Sequence, residues 1–239
     1  MLPFPLVADA APRAPHPFVD PPTEAGTDPA VVLSHWMATA ADGDLRPRLL
    51  RLADGRILPL PVGRWTGPVG AADESMLSRA CGPVLDMGCG PGRLTAALHV
   101  RGTEVLGLEL MPQVPVLARA AGAPLLLGDV FGPIPRPGSW RTVLLADGNV
   151  GIGGDPARLL RRVRALLAPG GQLLCELHPD ADTVGSGQVR LEGLGATSHW
   201  FRWTLLDAAG LSRAAAPAGL RVTEAWEQDG RPFVALAAT

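Results

Sequence analysis

From Pro83 to Leu177 the chain alternates short, continuous apolar runs with stretches in which apolar residues recur every three or four positions, a pattern that leaves few folds open. Val84 to Met87, Glu104 to Leu110, Leu125 to Leu127, Thr142 to Ala146 and Gln172 to Leu177 are too short for helices and lack the alternation of a strand wetted on one face. Between them, Gly92 to Arg101, Pro112 to Ala121 and the segment opened by Asp155-Pro156 read as helices. In the last of these, Leu159, Leu160, Val163, Leu166 and Leu167 keep the helical spacing up to Pro169-Gly170-Gly171. Strands buried on both faces and joined by helices imply a parallel sheet with right-handed crossovers. The expected fold is α/β: a doubly wound, Rossmann-like, mostly parallel sheet with helices on both faces.

The flanks differ. Leu220 to Trp226 and Phe233 to Ala237 enclose Asp229-Gly230, a hairpin signal that gives the sheet a terminal antiparallel strand. Before it come a strand pair (Val189 to Leu191, Trp200 to Trp203) and a helix over Asp207 to Ala216. At the other end, Pro3, Pro5, Pro12, Pro15, Pro17, Pro21 and Pro22 make residues 1–27 a flexible, proline-rich lead. Thr27-Asp28-Pro29 then caps a helix through Val31, Val32, His35 and Trp36 that stops near Asp42-Gly43. Arg51 to Ala72, rich in Pro and Gly and carrying Trp65, is expected as a short hairpin and an ordered loop, a candidate lid. The expected organisation is the lead (1–27), an N-terminal helix and lid segment (28–74) and one α/β domain (75–239).

Composition narrows the partners. With 239 residues, 47% apolar and 18% charged, and a formal net charge of −2, the chain can build a full core unaided. No block of five like charges occurs, so no electrostatic footprint for nucleic acid is visible. No run reaches the roughly 18 apolar residues of a membrane span, and the N-terminus lacks the basic start of a signal peptide, so a cytoplasmic location is expected. Cys81, Cys89 and Cys175 are odd in number without a CxxC pair, which suits a reducing compartment; each is expected as a small buried hydrophobe. Every basic residue is Arg, Tyr is absent and Asn149 is the single Asn, a bias that fits a GC-rich genome rather than a choice for phosphate binding.

The chemistry gathers at strand ends. Val84-Leu85-Asp86-Met87-Gly88-Cys89-Gly90-Pro91-Gly92-Arg93-Leu94 is a strand running through a glycine turn into a helix. In a doubly wound sheet, ligands sit outside the carboxyl ends of the strands, here where bare amides meet the ligand closely. Arg93 occupies the third-glycine position of G-x-G-x-x-G, so the dinucleotide reading loses its last glycine. Asp86 places a carboxylate beside the turn, useful for an ammonium and awkward for a pyrophosphate. Glu109 ends the second strand, where an acid can accept both hydroxyls of a ribose, and Asp129 follows the third. Three acids at neighbouring strand ends suit a nucleoside bearing a cationic amino-acid arm.

On these residues, residues 75 to 239 resemble a class I S-adenosylmethionine-dependent methyltransferase. The resemblance implies that Asp86, Gly88, Cys89, Gly90 and Gly92 wrap the methionine end of S-adenosylmethionine and that Glu109, with Leu110, holds the ribose. It places Asp129 and the Val130 backbone by the adenine, and it matches the family's later helix and strand to Leu159 through Leu174 with the L-x-P-G-G turn. Ala146 to Gly154 departs from the N-P-P-[YF] pattern of many nucleic-acid and amide N-methyltransferases. There Asp147 and Asn149 are candidates for cofactor or substrate contacts, or Asp147 merely caps a tight turn.

In-line methyl transfer can run on positioning alone, so a base is hard to find in sequence. His178 is the histidine best placed to face the crevice, or a strand-end residue satisfied by the backbone; His199 is a second candidate, while His16, His35 and His99 lie in the lead or on helix surfaces. Trp65 covers substrate or anchors its loop. The expected function is methyl transfer from S-adenosylmethionine to a small-molecule O, N or C nucleophile, with specialised metabolism as a setting and no nucleic-acid or membrane partner. The alternatives are a catalytically silent S-adenosylmethionine-binding subunit and an NAD(P)-dependent oxidoreductase. Oligomeric state is not legible.

Overall fold

The computed structural model describes residues 26–179 and 186–239; most of the proline-rich lead, with His16, lies outside them. In chain order come α1 (Pro29–Ala41), β1 (Arg48–Leu52), β2 (Ile57–Pro59), α2 (Val62–Thr66), α3 (Ala71–Leu77), β3 (Val84–Met87), α4 (Arg93–Val100), β4 (Val105–Glu109), α5 (Val116–Ala120), β5 (Leu125–Leu127) and β6 (Trp140–Leu145). A 3-10 segment (Asn149–Gly154) leads to α6 (Pro156–Leu166), β7 (Leu167–Glu176), β8 (Ser186–Gly193), β9 (Ala196–Thr197), β10 (Phe201–Thr204), α7 (Ala208–Ala215), β11 (Leu220–Gln228) and β12 (Arg231–Ala238).

The main sheet has the order β11-β12-β7-β6-β3-β4-β5. Strands β3 to β7 pair in parallel, and β12 pairs antiparallel with both β7 and β11. The doubly wound sheet expected from the apolar runs is thus present; the antiparallel strand is last in the chain and sits one place in from the edge. The strand order reverses at β3, so β3 and β6 flank the crevice where such sheets bind ligands. Strand alternation splits the core. Leu85 and Met87 join Val143, Leu145 and the α6 residues Leu159, Leu160, Val163 and Leu166 on one face. Val84 joins Leu144, Leu174 and the α3 and α4 residues Met76, Leu94 and Leu98 on the other. Asp86, two residues after Val84, therefore points toward α4.

The expected helix caps form: Asp28 Oδ1 accepts from Ala30 N at 2.7 Å, and Asp155 Oδ1 from Arg158 N at 2.9 Å. The helix expected from Pro112 begins only at Val116, because Pro115 disfavours helical geometry at Val114. Pro169-Gly170-Gly171 forms no separate turn; it lies in an irregular start to β7, where the register with β6 shifts between Trp140 and Thr142. No helix of the described residues is long and apolar enough to cross a membrane.

Two expectations are corrected here. The loop expected after the hairpin is helical, with α2 and α3 forming between the Pro and Gly positions that punctuate it. The pair β8 and β10 forms as expected, yet it joins β1 and β2 in a second, antiparallel sheet of order β10-β8-β1-β2, with β9 on β8. That sheet and α1 share their own core of Val32, Trp36, Met37, Leu50, Leu52, Val189 and Leu191, making a cap. The cap rests on the segment after β6: a Cβ on Gly151 would stand 2.3 Å from Thr204 O and 2.4 Å from Trp203 Nε1. Gly151→Ala is therefore expected to lower unfolding stability by about 1–3 kcal/mol through overpacking, read as a lower urea midpoint; an unchanged midpoint would contradict this seam.

Candidate functional site

A cavity of ≈ 300 Å³ opens between the carboxyl ends of β3 to β7 and the cap, within the range of small-molecule sites. Its floor begins with the glycine turn. Gly88, Gly90 and Gly92 all have positive φ (72°, 56° and 86°), a backbone open to glycine at little cost. Two of the three also need the missing side chain. A Cβ on Gly88 would lie 2.8 Å from Asn149 Nδ2, and one on Gly92 2.4 Å from the Ala118 Cβ. At Gly90 the nearest atom to such a Cβ is Met37 Cε at 3.9 Å, so that face of the turn is bare.

The sequence-selected acids do converge on this cavity. Asp86, Glu109, Asp129 and Asp147 all line it, with Leu110, Val130, Cys89, Asn149, His178 and Trp65. Asp86 is buried, and its Oδ2 accepts from Thr95 Oγ1 at 2.6 Å. Glu109 is buried as well; Oε2 accepts from Gly90 N at 2.9 Å and Oε1 from Met111 N at 3.0 Å, so the second strand's acid fixes the glycine turn itself. Each carboxylate oxygen keeps a second lone pair for a ligand. Asp129 Oδ1 accepts from Phe131 N at 2.9 Å. None of these three has a salt-bridge partner among the described residues.

Asp147 differs. It lines the cavity but is held by arginines. Its carboxylate meets Arg93 at 2.8 Å, Arg64 at 3.2 Å and Arg231 at 3.6 Å, and its own N–H donates to Glu176 Oε2 at 2.8 Å. Arg93 also pairs with Asp73; Arg231 forks onto both oxygens of Glu176 at 2.8 Å and reaches Asp73 Oδ1 at 2.8 Å. Three guanidinium groups and three carboxylates thus balance in one largely buried cluster, with the geometry that favours arginine over lysine. Burial pushes the Asp73 carboxyl up, but Arg93, the Gly70 N–H and Arg231 outweigh it and hold it at about 2. Asp147 therefore anchors the cluster through three guanidinium groups while still lining the cavity.

Asn149 is also partly committed: Nδ2 donates to Met87 O at 3.1 Å and Gly88 O at 2.8 Å, strapping the turn after β6 to the glycine turn. His178 lies on the cavity wall two residues past β7, whereas His199 is exposed and outside the lining. Trp65 is half-buried on α2 and lines the cavity. The cysteine expectation holds only for Cys175; Cys81 is exposed and Cys89 half-buried, and all three are free thiols. Burial, with Asp86 and Glu109 nearby, pushes the Cys89 thiol up and keeps it protonated.

Several residues escaped sequence reading: Thr95 under Asp86, the ion-cluster members Asp73, Arg93, Glu176 and Arg231, and the cap residues Phe201 and Trp203 on the cavity wall. Glu176 left a signal, being an acid inside an apolar strand run, since such a charge is rarely buried unpaired. Arg93 was visible only as a missing glycine.

A family model described as a methyltransferase domain matches residues 84–171. Among curated proteins, trans-aconitate 2-methyltransferase of Paracidovorax citrulli (strain AAC00-1) is 34% identical over 134 residues, 54% of this chain and 50% of that protein. The enzyme of the same name from Mycobacterium sp. (strain KMS) is 32% identical over 109 residues, 45% of this chain and 42% of its own. The chain thus spans about half the length of the curated relatives it matches. Among solved structures, a SAM-dependent methyltransferase from Bacteroides fragilis in complex with S-adenosyl-L-homocysteine superposes with a TM-score of 0.71 at 19% identity, covering 90% of this chain and 98% of its own. The 1,6-didemethyltoxoflavin-N1-methyltransferase of Burkholderia thailandensis gives a TM-score of 0.61 at 18% identity, covering 92% and 93%. These likenesses establish the fold.

Burial, opposed by the Thr95 hydrogen bond, raises the Asp86 carboxyl from 3.8 to about 6. A carboxyl whose folded value lies above its free value stabilises the fold fully below about pH 4, and that contribution is lost as pH rises through about 6. Asp86→Asn is accordingly expected to raise unfolding stability by about 2 kcal/mol at about pH 7.5, with the gain vanishing near pH 4, as read by urea unfolding. Asp73 runs the other way: its stabilisation is present above about pH 4 and lost as pH falls toward 2, so Asp73→Asn should cost about 3 kcal/mol near neutrality and progressively less below pH 4.

Proposed function

We propose that this chain, with its methyltransferase domain at residues 84–171, transfers the methyl group of S-adenosylmethionine to a small-molecule O, N or C nucleophile. The observation that carries this reading is the set of three carboxylates, Asp86, Glu109 and Asp129, at the neighbouring ends of β3, β4 and β5, none of them in a salt bridge among the described residues. Such a cavity favours a positively charged ligand, as a sulfonium with an ammonium arm is, and disfavours the pyrophosphate of a dinucleotide. The bare face at Gly90 and the second lone pairs of Glu109 fit the same ligand.

In this reading the Gly88–Gly92 turn and Asp86 hold the amino-acid end, Glu109 accepts the ribose hydroxyls with Leu110 beside it, and Asp129 and Val130 border the adenine. When bound, S-adenosylmethionine supplies a methyl group on a positively charged sulfur, already activated for displacement. The protein's part is then alignment and exclusion of water, which can supply several kcal/mol of the barrier. Asn149 keeps the turn in place, and the cap closes the remaining side. His178, on the wall beyond β7, is the residue proposed to take the proton of an O–H or N–H acceptor. The domain division proposed is an α/β body carrying the cofactor and a cap, built from α1, β1, β2 and β8 to β10, that frames the acceptor.

Support also comes from the named relatives, which are methyltransferases of small molecules. A silent cofactor-binding subunit would bind S-adenosylmethionine but release no S-adenosylhomocysteine with any acceptor; a setting in specialised metabolism is part of the proposal and is read from the acceptor once found.

Calorimetry tests the cofactor site. Glu109→Ala is expected to weaken S-adenosylmethionine binding by about 1.5–3 kcal/mol through loss of charge-assisted hydrogen bonds. Gly90→Val should abolish binding by filling the bare face of the turn and straining its backbone. Wild-type affinity in both variants would remove the cofactor from this crevice.

A further inference from the structure

The cap and the sheet ends contribute different chemistry to the cavity. Among the described residues, every ionisable side chain on the wall other than the Cys89 thiol, namely Asp86, Arg93, Glu109, Asp129, Asp147 and His178, comes from the α/β body. Among the described residues, the side chains added by α1, α2, the cap sheet and the turns beside them, Leu33, Leu50, Leu60, Trp65, Phe201 and Trp203 among them, are apolar or aromatic. Phe201 and Trp203 meet edge to face at 6.3 Å, the geometry of a rigid aromatic wall.

Charge decides against an anionic acceptor. The lining holds four carboxylates and one guanidinium, and that guanidinium, on Arg93, is held between Asp73 and Asp147. Arg64, on α2 beside the cavity-lining Trp65, is engaged by Asp147 and Glu176. A polycarboxylate entering here would find carboxylates on the floor and hydrocarbon on the roof, and would lose its hydration without a compensating partner.

Resting on the methyl-transfer reading above, we infer that the acceptor is a neutral, planar, largely apolar molecule, an aromatic or heteroaromatic ring system bearing the nucleophilic O, N or C, and not a polycarboxylate. Its ring lies against Trp65, Phe201 and Trp203, and its reactive edge faces the glycine turn. The match to trans-aconitate methyltransferases then reports a shared body, with acceptor choice set by the cap.

The test uses the full chain, with and without S-adenosylhomocysteine, titrated calorimetrically with 2-naphthol as the neutral planar probe and with trans-aconitate as the polyanion. In the loaded protein 2-naphthol should bind at least about tenfold tighter than trans-aconitate. Phe201→Leu and Trp203→Leu should each weaken it several-fold while leaving S-adenosylhomocysteine affinity unchanged; Leu60→Arg should move the preference toward trans-aconitate. Thermal melts identify any variant that fails to fold; Phe201 and Trp203 share β10, and Leu60 lies outside it, just after β2. Equal or tighter binding of trans-aconitate by the wild type, or 2-naphthol binding indifferent to all folded cap variants, overturns the inference. Failure of S-adenosylhomocysteine to bind, with the probe preference intact, overturns the methyl-transfer reading alone.

Discussion

The balanced cluster of Arg64, Arg93 and Arg231 with Asp73, Asp147 and Glu176 is the interaction on which the rest of the molecule turns. It joins α2 and α3 to the start of α4, the ends of β6 and β7, and the start of β12. Buried charges of this kind gain little net energy over a well-packed apolar core, but removing any one leaves an uncompensated partner. Its consequence here is geometric. Arg93, at the first position of α4, fixes where the helix following the glycine turn begins, and Asp147, with φ at +52°, fixes the turn after β6. By holding Arg93, the one guanidinium among the described residues that lines the cavity, in pairs with Asp73 and Asp147, the cluster also leaves Asp86, Glu109 and Asp129 without a salt bridge among those residues. The electronegativity of the cavity is thus a product of pairing elsewhere.

The body of the fold was legible because its signals are local. A run such as Val84 to Met87 is apolar on both faces only if both faces are covered, and Asp28-Pro29 or Asp155-Pro156 marks a helix start within three residues. The acids at the ends of β3, β4 and β5 could be ordered along the chain for the same reason, since strand ends and ligand crevice coincide in this architecture. Their convergence needed no knowledge of tertiary contacts beyond the strand order.

What sequence could not carry was pairing over distance. Leu50 and Leu191 face each other in the cap sheet across 141 positions of chain, and no periodicity connects them. The same holds for Arg231 and Asp73, or Arg93 and Asp147: each looks like an isolated charge until the fold brings it to its partner. The region around Trp65 misled for a different reason. Its prolines and glycines punctuate two short helices, and density of breakers alone does not distinguish a loop from elements separated by tight turns. Cys81 shows the limit of residue-type averages, being exposed at the approach to β3 while Cys175 is buried in β7.

Body and cap also divide the problem of specificity. The matched residues 84–171 contain the glycine turn, the three strand-end acids, Thr95 and Asn149; of the ion cluster they hold Arg93 and Asp147, whose partners Arg64, Asp73, Glu176 and Arg231 lie outside. The cap lies wholly outside that stretch, in residues 29–66 and 186–204, drawn from two ends of the chain and closed into one sheet. A hydrophobic wall discriminates weakly between molecules of similar shape, by about 1–3 kcal/mol per methylene, but strongly against charge. A body that needs carboxylates to hold a cation can therefore take many acceptors, provided the cap supplies whatever cation or apolar surface each acceptor requires. In this chain the cap supplies apolar surface only, so the charge carried by the acceptor is constrained more tightly than its outline.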